Sequence, residues 1–179
     1  MTLLRIIRPE EVSRAIKPAV RDEVLRLAAQ IVERVRVDGL SAVRAYAEEF
    51  DACAPDDPIT LDRRAMRSAY DALDPGDRDA LERAAQRIER FAQAQRDAIQ
   101  PLTMDVPGGQ SGHTIEPIDS AGCYAPAGRY PLPSSVLMTA ITARVAGCKR
   151  VVVASPGAHP ITLAAAHIAG ADEFLCVGG

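Results

Sequence analysis

The spacing of hydrophobic positions changes character near residue 102. Upstream, Val24, Leu27, Ala28, Ile31, Val32 and Val35 recur at helical spacing. Gly39 stands where a helix end favours a left-handed residue. Ser41 is placed to cap a second helix with Val43, Tyr46, Ala47 and Phe50 on one face. DACAPDDP, residues 51–58, reads as a loop. Asp62 predicts the cap of a short helix carrying Met66, Ala69, Tyr70 and Leu73. Asp74-Pro75 predicts the start of a long helix with Leu81, Ala84, Ile88, Phe91 and Ile99 as its apolar stripe, stopped by Pro101.

Downstream the pattern is that of strands. Leu102–Val106 and His113–Ile118 flank PGGQSG and predict a hairpin with a loose turn. Strands are predicted at Ala121–Ala125, Lys149–Ala154 and Glu173–Val177. Between them, helices are expected from Ser134 or Ser135 to about Ala146 and over Pro160–Ala169, closed by Gly170. Strands alternating with helices of this length argue for an α/β protein with a parallel sheet. The chain therefore divides into a helical region, residues 1–101, and an α/β region, residues 102–179. A strand that runs into Gly178-Gly179 is expected to open a ligand loop and a further crossover, so the chain reads as the front part of a longer protein.

Composition narrows the function classes. Of 179 residues, 47% are hydrophobic but only 4% aromatic, with no Trp, so aliphatic side chains must fill the core. The formal charge is −3 with acids and bases interspersed, and no basic patch with interleaved aromatics points to nucleic acid. No apolar run approaches the roughly 20 residues of a membrane span, and MTLLRIIRPEEV lacks a signal-peptide core. Cys53, Cys123, Cys148 and Cys176 form no CxxC pair. Three of them sit in apolar surroundings, which suits buried reduced thiols and a cytoplasmic protein.

Candidate chemistry concentrates in the loop from Tyr124 to Pro133. Proline stiffens it, and glycine lets its backbone lie close to a ligand. Tyr124 offers a flat ring and a phenolic hydroxyl, suited to stacking on or bonding a dinucleotide. Ser134-Ser135 at a helix start could hold an anion, but a plain cap is the commoner role and is the reading adopted. Arg129 could meet a phosphate, although a solvated loop position is the simpler expectation. Gly108-Gly109 is a turn, and neither GxGxxG nor GxxxxGK[ST] occurs. His113, His159 and His167 lack metal-pair spacing and are expected at the surface. Glu48-Glu49 and Asp56-Asp57 read as solvated charges.

The wording of residues 122–153, GCYAPAG, YPLPSSVLM and ARVAGCKRVVV, followed by a closing VGG, resembles the histidinol dehydrogenase family. IVERVRVDGLSAVRAYAEEFD is similar to that family's amino-terminal segment, with Leu40 in place of its usual Asp. Ala127 replaces the first Gly of the family's PGG, which restricts the loop. The resemblance implies an amino-terminal helical segment followed by a parallel, incomplete Rossmann-like β-α-β unit, with residues 102–179 as the first part of the nucleotide-side domain. It implies NAD contacts at Tyr124, Pro126 and Phe50, and no catalytic or metal residue in this chain. It further implies zinc held by residues beyond 179, oxidation of L-histidinol through the aldehyde to L-histidine, a homodimer, and a fragment inactive alone. GRYPLPSS is shared with relatives acting on other small alcohols such as sulfopropanediol. A related dehydrogenase of that kind and a non-catalytic scaffold or assembly module are the alternative readings.

Overall fold

The computed structural model describes residues 20–51, 53–127 and 130–178. These fall into two compact units that meet between Ala42 and Val43. In the first, helix α1 spans Asp22–Asp38 and ends at Gly39, whose φ of 60° suits glycine. Its predicted apolar stripe forms, but no α1 side chain is fully buried. Helix α2, Leu40–Phe50, follows directly. Ser41 does not cap it from outside. It lies within the helix, and its Oγ donates to the Asp38 carbonyl at 2.8 Å.

The second unit begins within α2, at Val43, and so holds Phe50 and Asp51; it also carries β1 (Thr60–Leu61), α3 (Arg63–Asp71), α4 (Pro75–Asp97), β2 (Leu102–Val106), β3 (Gly109–His113), β4 (Ser120–Tyr124), α5 (Pro133–Val145), β5 (Arg150–Ala154), α6 (Pro160–Ile168) and β6 (Glu173–Leu175). The main sheet has the order β1-β6-β5-β4. Strands β4, β5 and β6 are parallel, and β1 is antiparallel to β6. An α/β unit with three parallel strands joined by α5 and α6 matches the expected fold class.

One face of the sheet is the core. Cys123, Val151, Val153 and Phe174 alternate inward and are buried. They pack with Val136, Leu137, Ala140 and Ile141 of α5 and with Leu163–Ala166 of α6. Helix α6 is buried on nearly all sides by small residues because α3 and α5 both pack against it. Met66 and Leu81 bring α3 and α4 into the same cluster. Asp172 ties these layers together: its carboxylate accepts the Val151 N–H at 2.7 Å and pairs with Arg144 and Arg63.

Several expectations are corrected. Asp62 does cap α3, accepting the Ala65 N–H at 2.9 Å, and Asp74 and Pro75 open α4, though the Asp74 side chain makes no cap bond. The stripe of α4 rotates so that Ala85 and Ala92 are buried, while Phe91 and Ile99 are exposed. Close packing of α4 on α5 favours the small side chains there. The hairpin's second strand is Gly109–His113, not His113–Ile118. Pro107 and Gly108 alone form the turn, with Gly108 at φ 90°, so the register pairs Val106 with Gly109. Ser134 and Ser135 do not cap α5. Pro133 occupies the first turn and Leu132 the cap position without a side-chain bond. Strand β6 is shorter than expected and ends at Leu175.

Candidate functional site

Ligands of open α/β sheets lie beyond the carboxyl ends of the strands. Here that rim is built by Tyr124 at the end of β4, Ser155–Gly157 after β5, and Cys176–Gly178 after β6. Tyr124 points away from the buried Cys123 beside it and is 51% exposed, so its ring is not sealed in the core. Its hydroxyl donates to the Gly178 carbonyl at 2.7 Å. The Gly178 N–H in turn donates to Asp51 Oδ2 at 2.9 Å. One glycine residue is thus clasped through both its N–H and its carbonyl by residues far apart in sequence.

Only glycine fits that clasp. Gly178 has φ 151°, and a Cβ there would stand 2.5 Å from Tyr124 Cε2 and 3.0 Å from Pro156 Cδ. The clasp brings Asp51, the neighbour of Phe50 in sequence, to the Tyr124 rim. Phe50 precedes Asp51, is 48% exposed, and stacks in parallel on Tyr46 with ring centroids 5.7 Å apart. Pro126 is exposed two residues past Tyr124. Arg129 lies outside the described residues.

Asp51 is the residue that sequence reasoning missed, placing it merely in a loop. Its Oδ1 is buried without a hydrogen-bond partner among the described residues. A cavity of about 250 Å³ opens beside it, lined also by Cys53, Asp57, Gly157 and Cys176. Burial, reinforced by Cys53 and Asp57, pushes the Cys176 thiol up to about 11, so it stays protonated and non-nucleophilic at neutral pH. Burial likewise raises the Cys123 thiol. All four cysteines are free, with Cys123, Cys148 and Cys176 buried as expected.

The histidines serve elsewhere. His113 Nε2 lies 3.1 Å from the Gln100 carbonyl. His159 Nδ1 caps α6 through the Ile161 N–H at 3.4 Å. His167 is half-buried against Tyr70, with centroids 5.1 Å apart, rather than on the surface. Burial lowers its pKa, helped by the Arg67 charge. Among the described residues no three His, Cys, Asp or Glu side chains group to hold a metal. A larger, mainly aliphatic cavity of about 810 Å³ lies near the amino end of β4, between Ile99, Ile115, Ile118 and Ala146. Its lining also includes Gln95, Arg96, Asp97, Gln100 and Glu116.

The rim therefore offers ring faces, close-approach glycine backbone and one carboxylate oxygen in need of a donor. Such an arrangement suits the binding of a flat, hydroxyl-bearing ligand. Fold and rim together define a parallel, incomplete Rossmann-like α/β unit without the glycine fingerprint. The chain belongs to the histidinol dehydrogenase family, whose sequence profile matches residues 16–179. It is 38% identical to histidinol dehydrogenase from Methanopyrus kandleri over 97% of this chain and 43% of that protein. With the Haloarcula marismortui enzyme it shares 42% identity over 90% of this chain and 37% of the relative. The crystal structure of histidinol dehydrogenase from Elizabethkingia anophelis superposes with a TM-score of 0.77 at 25% identity, covering 89% of this chain and 38% of that one. The chain thus spans about two fifths of the length of the curated relatives it matches.

Proposed function

We propose that this chain supplies the amino-terminal, nucleotide-side part of an NAD- and zinc-dependent dehydrogenase that oxidises L-histidinol through the aldehyde to L-histidine. The observation that carries the proposal is the half-exposed Tyr124 ring, fixed at the sheet rim by Gly178 and next to the unpaired Asp51 Oδ1. Tyr124, Phe50 and Pro126 would present flat apolar contacts to NAD. Asp51 Oδ1 would accept a hydroxyl donor such as a ribose, since a buried acceptor without a partner costs about 1–3 kcal/mol until one arrives. When bound, NAD supplies the hydride acceptor. The chain's own residues bind and orient it, and none of those at the rim moves a proton.

Zinc does not fit the described residues. Its ligands, and the acid–base groups of the reaction, are assigned to the rest of a longer family chain. Residues 1–101 are then the helical region and 102–179 the first part of the nucleotide-side domain. Buried reduced thiols support a cytoplasmic setting, and a homodimer is the assembly proposed.

Reconstitution tests this reading. The chain alone should not reduce NAD with histidinol. Joined to the remainder of the Methanopyrus relative and supplied with zinc, it should form NADH and histidine. Turnover by the chain alone, or a folded joined chain that binds no NAD, would refute it.

A further inference from the structure

The rim has a charge as well as a shape. The cavity of about 250 Å³ beside it draws its charged lining from Asp51 and Asp57, and its described lining residues include no Lys, Arg or His. It is smaller than the roughly 300–1,000 Å³ of a pocket that holds a whole drug-sized ligand. One sugar-sized part of a dinucleotide is the better match. Asp51 is fixed there because its Oδ2 accepts the Gly178 N–H at 2.9 Å, which leaves Oδ1 buried and without a partner among the described residues.

Asp57 is held by its own turn. Its Oδ2 accepts the Ala54 N–H at 2.9 Å, and its N–H donates to the Ala54 carbonyl at 3.0 Å. Arg44 of α2 ties the turn down, its Nη1 donating to the Pro55 and Asp57 carbonyls at 2.8 and 3.1 Å. That guanidinium is engaged on backbone and does not line the cavity. In doubly wound folds an acidic residue bonds the ribose 2′-hydroxyl of NAD, and an arginine accommodates the 2′-phosphate of NADP. This cavity has the acidic groups without the arginine.

We infer that Asp51 and Asp57 set the cofactor specificity of the rim: their carboxylates accept hydroxyls of the adenosine ribose and turn away a 2′-phosphate. The inference rests on the reading that NAD binds at Tyr124, and adds which dinucleotide the rim rejects and why. A 2′-hydroxyl donates to the orphaned Asp51 Oδ1. A 2′-phosphate carries about −1.5 to −2 charges at neutral pH and presents acceptors. It leaves Oδ1 unsatisfied and brings like charge against two carboxylates, which disfavours the wrong partner. Asp57 is exposed, so salt screens its share of the repulsion, while the buried Asp51 oxygen is screened less.

Calorimetry of the chain joined to the Methanopyrus remainder, titrated with NAD and with NADP, tests this without reference to turnover. The unaltered joined chain should bind NAD at least about 100-fold more tightly than NADP at low salt. Asp51→Asn should narrow that ratio about tenfold or more, because its amide nitrogen can donate to the phosphate. Asp57→Asn keeps an oxygen for the Ala54 N–H and, being at an exposed position, keeps the fold. It should narrow the ratio about fivefold by improving NADP binding, a gain that fades in high salt. Tyr124→Ala should weaken both dinucleotides alike and leave the ratio unchanged. A ratio unmoved by both aspartate variants, while Tyr124→Ala still weakens NAD, would overturn this inference alone. NADP bound as tightly as NAD by the unaltered chain would overturn it as well. NAD affinity indifferent to Tyr124→Ala would instead refute the reading beneath it, and the inference with it.

Discussion

Removing the Asp172 carboxylate should destabilise the α/β unit by an amount that can be worked out partner by partner. Asp172→Ala strips the acceptor from the Val151 N–H, now bonded at 2.7 Å in a strand whose Val151 side chain is fully buried. An orphaned buried donor costs about 1–3 kcal/mol. Arg144, 26% exposed, loses its charge partner but keeps the carbonyls of Gly170, Cys148 and Lys149, so its share is about 1 kcal/mol. Arg63 is 68% exposed and contributes about 0–1 kcal/mol. The total is about 3 kcal/mol, which for a domain of this size lowers Tm by about 6–12 °C. Asp172→Asn still offers an acceptor and should lose about half as much. Burial alone would raise the Asp172 pKa, but the Val151 N–H and the Arg63 and Arg144 guanidinium groups outweigh it and hold the carboxyl below the usual range. A depressed carboxyl stabilises above its unfolded pKa and loses that contribution as pH falls through the folded one. Thermal melts of wild type and Asp172→Ala should therefore differ most at neutral pH and converge in strong acid. A Tm change under about 2 °C at neutral pH, or a gap that widens in acid, would refute the reasoning.

Other outcomes follow from the same geometry. His167, held below its ordinary pKa by burial, must gain a proton on unfolding, so stability should fall as pH drops below its unfolded value of about 6.5. His167→Gln should flatten that dependence in melts across the mildly acidic range. Thiol labelling of the native chain should modify Cys53 first and leave Cys123, Cys148 and Cys176 unreacted until unfolding, read by mass spectrometry. Gly178→Ala should push the Tyr124 ring aside and weaken NAD binding about tenfold while leaving Tm within about 2 °C, because the strain falls at the end of the sheet.

The helices and parallel strands were legible because their signals are local. Period, Pro75, Pro160, Gly39 and Gly170 mark element ends without help from the rest of the chain. Ser134 and Ser135 misled because Pro133 could take the first turn before them. The hairpin misled because Pro107-Gly108 closes in two residues where a looser turn was expected. At the site, Tyr124 was visible from its motif. Asp51 was not, since its role arises only when β6 carries Gly178 back to it across 127 positions. The alternation of half-buried Val152 and Ala154 with fully buried Val151 and Val153 was also hidden, because a run of apolar residues does not say which of them face the core.

The central claim is that the rim at Tyr124 receives NAD. The most direct measurement is the resonance of the Tyr124 ring during an NAD titration of the joined chain, with Tyr124→Ala and Asp51→Asn measured alongside by calorimetry. The account predicts saturable shifts of that ring, a loss of about tenfold or more in affinity for Tyr124→Ala, and a smaller loss for Asp51→Asn. Unshifted Tyr124 signals at saturating NAD, with affinity unchanged by Tyr124→Ala, would contradict it.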